Sequence, residues 1–140
     1  MELQPPQVYV KETGTGKGRG AFAARPFQEG EVVERSPVVT FTKLDSYPME
    51  LQRIAFAWSY IIDETGDVHA FALGYASMYN HSNPANLRYT ADPANHVLVF
   101  TAVRRIEADE ELTINYNSCR GEPVSEEDNW FEDFEVTIIR

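Results

Sequence analysis

The 140-residue sequence has very little of the residue types that form disulfides and metal centres. Its single cysteine, Cys119, excludes an internal disulfide and any multi-cysteine zinc cluster. The three histidines, His69, His81 and His96, lack the close paired spacing typical of metal ligands, and no His-x-x-x-His pair occurs. We therefore expect no metal site.

Long apolar runs are also absent. No stretch approaches the roughly 20 apolar residues that are needed to span a bilayer. Residues 1–6 have neither the positive flank nor the apolar run of a signal peptide. We expect an intracellular protein, cytoplasmic or, in a eukaryote, nuclear, that has no membrane partner.

Basic residues are scarce: 12 Lys and Arg stand against 22 Asp and Glu, and the formal net charge is −10. Direct binding of nucleic acid is disfavoured, because it requires a basic surface to neutralise phosphates. Residues 121–140 hold seven acids and one base and carry −6 of this charge. Such a tail suits a basic, lysine-containing protein or peptide partner. An acidic segment that only improves solubility fits the charge equally well.

The length and a hydrophobic content of 43% predict one globular domain with its own core. Short β-branched and aromatic runs are separated by Gly, Pro and Asn, so the predicted class is mainly β with short helices. The expected strands are 8–10, 21–23, 31–41 (or two strands bent at Pro37), 87–89, 96–106 and 112–116. We also expect a short helix within 49–56 and a hairpin formed by 60–62 and 68–73.

A glycine-rich turn spans Gly14 to Gly20. It is not a P-loop, because Gly18 follows Lys17 where Ser or Thr is required. A dinucleotide fingerprint is disfavoured as well, since the helix that should follow would soon meet Pro26. A turn whose bare backbone approaches a small ligand fits better. On the turn alone, a flexible β-turn with basic side chains remains an equal alternative.

Two further phrases combine hydrogen-bonding side chains with aromatic rings: Tyr79-Asn80-His81-Ser82 and Glu111 to Tyr116. The amide of Asn80 both donates and accepts, which suits an ammonium group or an adenine edge. His81 has the chemistry of a general base, but no Gly-x-Ser-x-Gly elbow surrounds Ser82. Considered singly, His81 is more often a structural histidine, and Tyr116 a half-buried tyrosine with a satisfied hydroxyl.

The three phrases together resemble the motifs of one family, the SET-domain lysine methyltransferases. Gly18 to Phe22 is similar to its Gly-x-Gly motif with a following apolar pair. Tyr79-Asn80-His81-Ser82, continued to Asn86, resembles its Asn-His-Ser motif. Glu110 to Tyr116 resembles its Gly-Glu-Glu-Leu-Thr-x-x-Tyr motif. Their order and separation match a compact SET domain over roughly Val8 to Asn117.

Three positions depart from the family pattern. Asn83 stands where a cysteine often follows Asn-His-Ser, Pro84 comes one place early, and Asp109 replaces a common glycine. Family members with a zinc-binding post-SET module use that cysteine. Because this chain lacks it, zinc is not expected, and the pocket must be closed in another way.

The resemblance implies a SET-domain, β-clip-like fold of small sheets with a C-terminal pseudoknot. It assigns residues 1–117 to the SET domain and 118–140 to an acidic, aromatic tail without zinc. It also implies S-adenosylmethionine as cofactor, bound by Lys17, Gly18 and Arg19 largely through their backbone, and by Asn80 and His81.

The catalytic residue implied by the resemblance is Tyr116, with Tyr79, Tyr89 and Ile114 lining the substrate channel. Trp130, ahead of Phe131 and Phe134, is the expected aromatic contact of the cofactor in the tail; anchoring of the tail to the core is the alternative.

The expected activity is methyl transfer to the side-chain amine of a protein lysine. A catalytically silent SET-like module that only binds peptide is the alternative. Without a flanking module to shape the peptide groove, the chain is also a candidate homodimer.

Overall fold

Most of the regular structure consists of short strands, in agreement with the predicted class. The computed structural model describes residues 1–118 and 120–126, and Trp130, Phe131 and Phe134 lie outside these ranges. Within the described residues the strands are β1 (Val8–Glu12), β2 (Arg19–Ala23), β3 (Val32–Phe41), β4 (His69–Ala72), β5 (Asn80–His81), β6 (Leu87–Asp92), β7 (Val97–Ala102) and β8 (Thr113–Ile114). The helices there are α1 (Met49–Gln52) and α2 (Trp58–Ile61), with 3-10 turns at Leu44–Ser46, Ala76–Met78 and Pro93–Asn95.

The largest sheet is antiparallel, with the strand order β4-β3-β7-β6. Its long strand β3 changes partner midway: it pairs with β7 up to Pro37 and with β4 from Val38 onward. Proline has no backbone N–H to donate to a neighbouring strand. A change of partner at Pro37 therefore leaves no N–H of this residue without an acceptor. The sequence therefore forms one strand of ten residues and not two.

A β-bulge interrupts β3 near its start. Val32 pairs with Thr101 and Glu34 with Phe100, so Val33 is an extra residue on β3. Because of this extra residue, two successive side chains, Val33 and Glu34, are both buried. The alternation then resumes with Ser36 and Val38 on the same inner face as Glu34.

The core lies against the inner face of this sheet and joins it to the smaller ones. Among its large apolar side chains that are at most 1% exposed are Phe27, Leu87, Leu98, Phe100, Ile106 and Leu112. A second sheet, the β1–β2 hairpin, is tied to the approach to β8, since Leu112 N–H donates to the Ala21 carbonyl at 2.8 Å. None of the helices in the described part of the chain has the length and apolar character to cross a membrane.

The predicted hairpin over 60–62 and 68–73 is wrong. Tyr60 and Ile61 belong to helix α2, in which Ile61 N–H donates to the Ala57 carbonyl and Ile62 N–H to that of Trp58, both at 3.0 Å. Burial of Trp58 places this turn against the core, and β4 pairs with β3 instead. Tertiary packing overrides the β-propensity of the isoleucines here. The helix predicted within 49–56 forms only as α1.

The third sheet is small but brings distant residues together. It pairs β5 with β8 in parallel, although about thirty residues separate the two strands in the chain. A parallel pair cannot close through a tight turn, so the intervening sheet strands β6 and β7 form the crossover between them.

Candidate active site

The parallel pair β5–β8 places the Asn-His-Ser phrase beside the tyrosine phrase. Asn80 is paired with Thr113, and His81 with Ile114. Two residues beyond Ile114, the backbone N–H of Tyr116 donates to His81 Nδ1 at 3.0 Å, and the two rings lie 5.3 Å apart. Because Nδ1 accepts this bond, it carries no proton, and the imidazole holds the backbone at Tyr116 in place. This geometry gives His81 a positioning role.

The hydroxyl of Tyr116 donates to the backbone carbonyl of Tyr79 at 2.5 Å. Burial raises the pKa of the Tyr116 hydroxyl well above its ordinary value, and the charge of Glu111 raises it further. The phenol therefore stays protonated at physiological pH, with its proton committed to the Tyr79 carbonyl. A phenol oxygen that donates its proton is also able to accept a hydrogen bond.

A pocket of about 330 Å³ opens onto Tyr116. Tyr79, Tyr89 and Ile114, the three residues predicted for the substrate channel, line it together with Tyr116. The hydroxyl of Tyr89 donates to the carbonyl of Ser118 at 3.1 Å, so this ring has a fixed position on the wall. The pocket thus combines an aromatic lining with a phenol, which suits the apolar stem and polar end of a long side chain.

The helical segment between β3 and β4 also lines the pocket. Leu44, Arg53, Ile54 and Phe56 contribute to it. The ring of Phe56 packs edge-on against Tyr89, with centroids 5.2 Å apart. Sequence reasoning predicted a helix within 49–56 but gave it no part in the site. The apolar residues of this helix could have indicated that it lines a pocket, although they fit a helix packed on the core equally well.

The glycine-rich turn meets Asn80 at a second cluster. The Asn80 side-chain amide donates to the Arg19 carbonyl at 3.1 Å and to Glu111 Oε2 at 2.8 Å. A Cβ on Gly20 would lie 2.6 Å from that carboxylate oxygen and 2.9 Å from the amide nitrogen, so any other residue would have to displace these two side chains. Sequence reasoning quoted Glu111 as part of a motif without giving it a role.

The cofactor-binding residues predicted from the sequence are only partly gathered by the structure. Arg19 and Asn80 are in contact, and His81 lies next to Asn80 on β5. Lys17 and Gly18 lie on the exposed turn before β2, where the Gly18 carbonyl accepts from Thr13 N–H at 2.9 Å. A carboxylate and a carbonyl beside a bare Cα are acceptors suited to a cationic ligand that bears an ammonium group. These acceptors fit the ammonium group of S-adenosylmethionine.

Asn86, the last residue of the Asn-His-Ser phrase, is a structural residue. Its side chain is buried and makes the same kind of contacts as a paired strand. Thr113 N–H donates to its Oδ1 at 2.8 Å, and its Nδ2 donates to the Glu111 carbonyl at 2.8 Å. A buried amide that is satisfied on both sides fixes the register of the chain entering β8.

Asn83 stands where many family members have a zinc-binding cysteine, and here it forms a hydrogen-bonded clamp. Its side chain donates to the Ser125 carbonyl at 3.0 Å and accepts from Ser125 N–H at 3.3 Å. The side chain of Asn115 donates to the Ser125 hydroxyl at 2.9 Å. These three residues, which we call the Asn83 clamp, attach the segment after Tyr116 to the loop after β5 without a metal.

Asp109, at the position of a common family glycine, keeps the backbone conformation that glycine favours. Its φ is +69°, in the left-handed region that Asp tolerates better than most residues. Its carboxylate accepts a bond from the Tyr9 hydroxyl at 2.7 Å, which links β1 to the loop before β8. Across the described residues, no group of three His, Cys, Asp or Glu side chains could hold a metal ion.

Comparison with known proteins agrees with the motifs. The SET domain family matches residues 18–117. A Schizosaccharomyces pombe histone-lysine N-methyltransferase, specific for H3 lysine-37, is 31% identical over 117 residues, which are 84% of this chain and 72% of the relative.

Solved structures share the fold. Among them is a candidate histone methyltransferase of Plasmodium falciparum, with a TM-score of 0.65 at 24% identity over 82% of this chain and 96% of that one. Another is the Neurospora histone lysine methyltransferase DIM-5, with a TM-score of 0.66 at 19% identity over 83% of this chain and 54% of that one. The predicted SET-domain fold is confirmed, and the chain belongs to the SET domain family of protein-lysine methyltransferases.

Proposed function

We propose that the protein transfers methyl groups from S-adenosylmethionine to the side-chain amine of lysine in a basic protein. One observation carries the proposal: Tyr116 connects the two parts of the site. Its backbone is bound by His81, next to the cluster of Asn80 and Glu111, and its ring lines the aromatic pocket.

The cofactor would be held by the glycine-rich turn and β5. Lys17, Gly18 and Arg19 would contribute backbone groups. Asn80 and His81 would hold the cofactor on the side of the site next to Tyr116. When bound, S-adenosylmethionine supplies a methyl group on a positively charged sulfur. Trp130, predicted as an aromatic contact of the cofactor, lies outside the described residues and stays a prediction.

Methyl transfer requires the substrate lysine to enter the reaction as a neutral amine. A free lysine has a pKa of about 10.4, so deprotonation at pH 7 costs roughly 4.6 kcal/mol. An aromatic pocket that excludes water lowers this cost, because burial disfavours the charged form of an amine. No titratable base is then required next to the nitrogen.

Tyr116 acts as a fixed phenol and not as a base. Since burial raises the pKa of its hydroxyl, and this hydroxyl already donates to the Tyr79 carbonyl, a phenolate does not form at neutral pH. The oxygen accepts a hydrogen bond from the amine and thereby directs the nitrogen lone pair along one line. Alignment of this kind accounts for a large part of the acceleration in displacement reactions.

The substrate is proposed to be a basic protein inside the cell, with histones as the first candidates. The overall charge of −10 favours a basic partner, and the S. pombe relative acts on histone H3. The number of methyl groups depends on the crowding of the amine: Ile114 leaves room on one wall, whereas Tyr89 narrows another. We assign residues 1–117 to the catalytic domain and 118–140 to the tail. A homodimer stays a prediction that light scattering would test.

Mass spectrometry of histones incubated with S-adenosylmethionine and the protein tests the proposal. Wild type is expected to add mass in steps of one methyl group, and the Tyr116→Phe variant to add almost none. Peptide binding without any methyl transfer, in a wild type that also fails to bind the cofactor in a calorimetric titration, would instead establish the silent peptide-binding module.

A further inference from the structure

Glu34 is a buried carboxyl group that no step above uses. It is 3% exposed, and both of its oxygens are engaged. Oε1 accepts a hydrogen bond from the Tyr79 hydroxyl at 2.6 Å, and Oε2 accepts one from the backbone N–H of Tyr75 at 2.9 Å. A buried carboxyl group is costly to a fold unless it is fully hydrogen-bonded, so an arrangement of this kind calls for an explanation.

Two backbone features put the Glu34 carboxyl group where it is. The two-residue alternation of β3 puts Glu34 on the same inner face as Ser36 and Val38, and the bulge adds the buried Val33 beside it. On the other side Gly74, with φ +79°, lies so close that a Cβ there would be 2.5 Å from Glu34 Oε2. By contrast Gly30, with φ +84°, has nothing within 4 Å of such a Cβ. The chain therefore leaves room for this carboxyl group specifically at Gly74.

Tyr79 joins Glu34 to the active site. Its hydroxyl is bound by Glu34, its ring lines the pocket at 1% exposure, and its carbonyl accepts the hydroxyl of Tyr116. Burial and the neighbouring Glu34 both raise the pKa of the Tyr79 hydroxyl, so it remains a donor to the carboxyl group. One residue thus has its side chain fixed by Glu34 and its backbone bonded to Tyr116.

We propose that Glu34 is a positioning residue: by anchoring Tyr79, it sets the orientation of the Tyr116 hydroxyl in the pocket. This rests on the proposed function, in which that hydroxyl aligns the lysine amine. Without the Glu34 bond the Tyr79 ring can shift, and the carbonyl that holds Tyr116 shifts with it. Small misplacements of this kind reduce turnover far more than they reduce binding.

The test compares Glu34→Gln, Tyr79→Phe and the double variant with wild type. Glu34→Gln keeps the size of the side chain but leaves one acceptor oxygen for two donors, the Tyr79 hydroxyl and the Tyr75 N–H, while Tyr79→Phe removes only the hydroxyl. Val97→Ala, a buried change on β7 outside the pocket, controls for lost packing. Gly74→Ala and Gly30→Ala form a second matched pair, because both substitute a positive-φ glycine but only the first crowds Glu34.

The expected result is a fall in kcat of about tenfold or more in Glu34→Gln and Tyr79→Phe, with the cofactor Kd within about twofold of wild type. The double variant should lose no more than Tyr79→Phe alone, since both changes act on the same link. Gly74→Ala should lose activity and Gly30→Ala should keep it. A kcat within about twofold of wild type in both single variants would overturn the proposal.

A spectroscopic measurement separates this proposal from the proposed function. In protein labelled with 13C-tyrosine, the Tyr116 signal is the one missing from Tyr116→Phe. Glu34→Gln should shift that signal and Val97→Ala should not. If wild type methylates nothing, the proposed function fails, but a shifted Tyr116 signal still supports the link from Glu34. An unmoved signal in Glu34→Gln refutes the link whether or not the protein is active.

Discussion

Replacing Tyr116 by Phe is the most direct perturbation of the site. The substitution removes one oxygen atom and keeps the ring that lines the pocket. It also removes the donor to the Tyr79 carbonyl, a bond of 2.5 Å at a buried position. Loss of one such bond costs about 1 kcal/mol of folding free energy, so the variant should fold and bind cofactor.

The effect on catalysis should be much larger than the effect on stability. Removal of one fixed hydrogen-bonding group from an active site typically lowers kcat by about 10²–10³, or roughly 3–4 kcal/mol of transition-state stabilisation. In the proposed mechanism Tyr116 accepts from the amine while its own proton is held by the Tyr79 carbonyl, so the full effect depends on that bond. We therefore expect a fall in kcat of this size for Tyr116→Phe.

Single-turnover methyl transfer measures this effect separately from product release. Tyr89→Phe is the matched control, because it removes a hydroxyl from the same pocket wall, one that donates to the Ser118 carbonyl. It should change the number of methyl groups more than the rate of the first transfer. If Tyr116→Phe keeps a single-turnover rate within about tenfold of wild type, the role assigned to this hydroxyl is refuted.

Three further predictions concern the surroundings of the site. Gly20→Ala should lower cofactor affinity about tenfold or more in calorimetry, because the added Cβ would lie 2.6 Å from Glu111 Oε2. An unchanged Kd would show that the close approach of Gly20 to Glu111 does not matter for binding. Asn83→Ala should lower the free energy of unfolding by about 1–2 kcal/mol, since it removes three hydrogen bonds to Ser125. Equal denaturant midpoints for the variant and wild type would show that the clamp is dispensable. Burial raises the pKa of the Tyr116 hydroxyl, so the contribution of this group to stability is complete below about pH 10 and is lost as the pH rises further. Tyr116→Phe should therefore make the free energy of unfolding less sensitive to pH above about pH 10. Identical slopes of unfolding free energy against pH in variant and wild type would contradict this prediction.

The strand pattern was largely predictable because it depends on local composition. β-branched runs separated by Gly, Pro and Asn became β1, β3, β6 and β7. The error at 60–62 has a physical cause: isoleucines favour strands locally, but burial of Trp58 stabilises a helical turn. Short segments of this kind are decided by what packs against them, and that information is not local.

The site was predictable only as far as its motifs reached. Asn80, His81 and Tyr116 were identified from three ordered phrases, and the parallel pair β5–β8 brings these residues together. Glu34 was missed, because a glutamate within a β-branched strand is usually assigned to the solvent face. Alternation counted from Val33 also puts Glu34 outside; the bulge buries both side chains, and one extra residue on β3 has no signature in the sequence.

By itself, then, the sequence determined the class of the fold, the family and the residues that its motifs name, since these depend on composition and on residue order. The tertiary structure decided which residues act together. The Tyr79 carbonyl on the Tyr116 hydroxyl, the Glu34 carboxyl group behind Tyr79 and the Asn83 clamp each join segments that are about 30 to 45 residues apart in the chain. Hydrogen bonds act over about 3 Å, so such contacts arise only after the sheets have packed and water has been excluded.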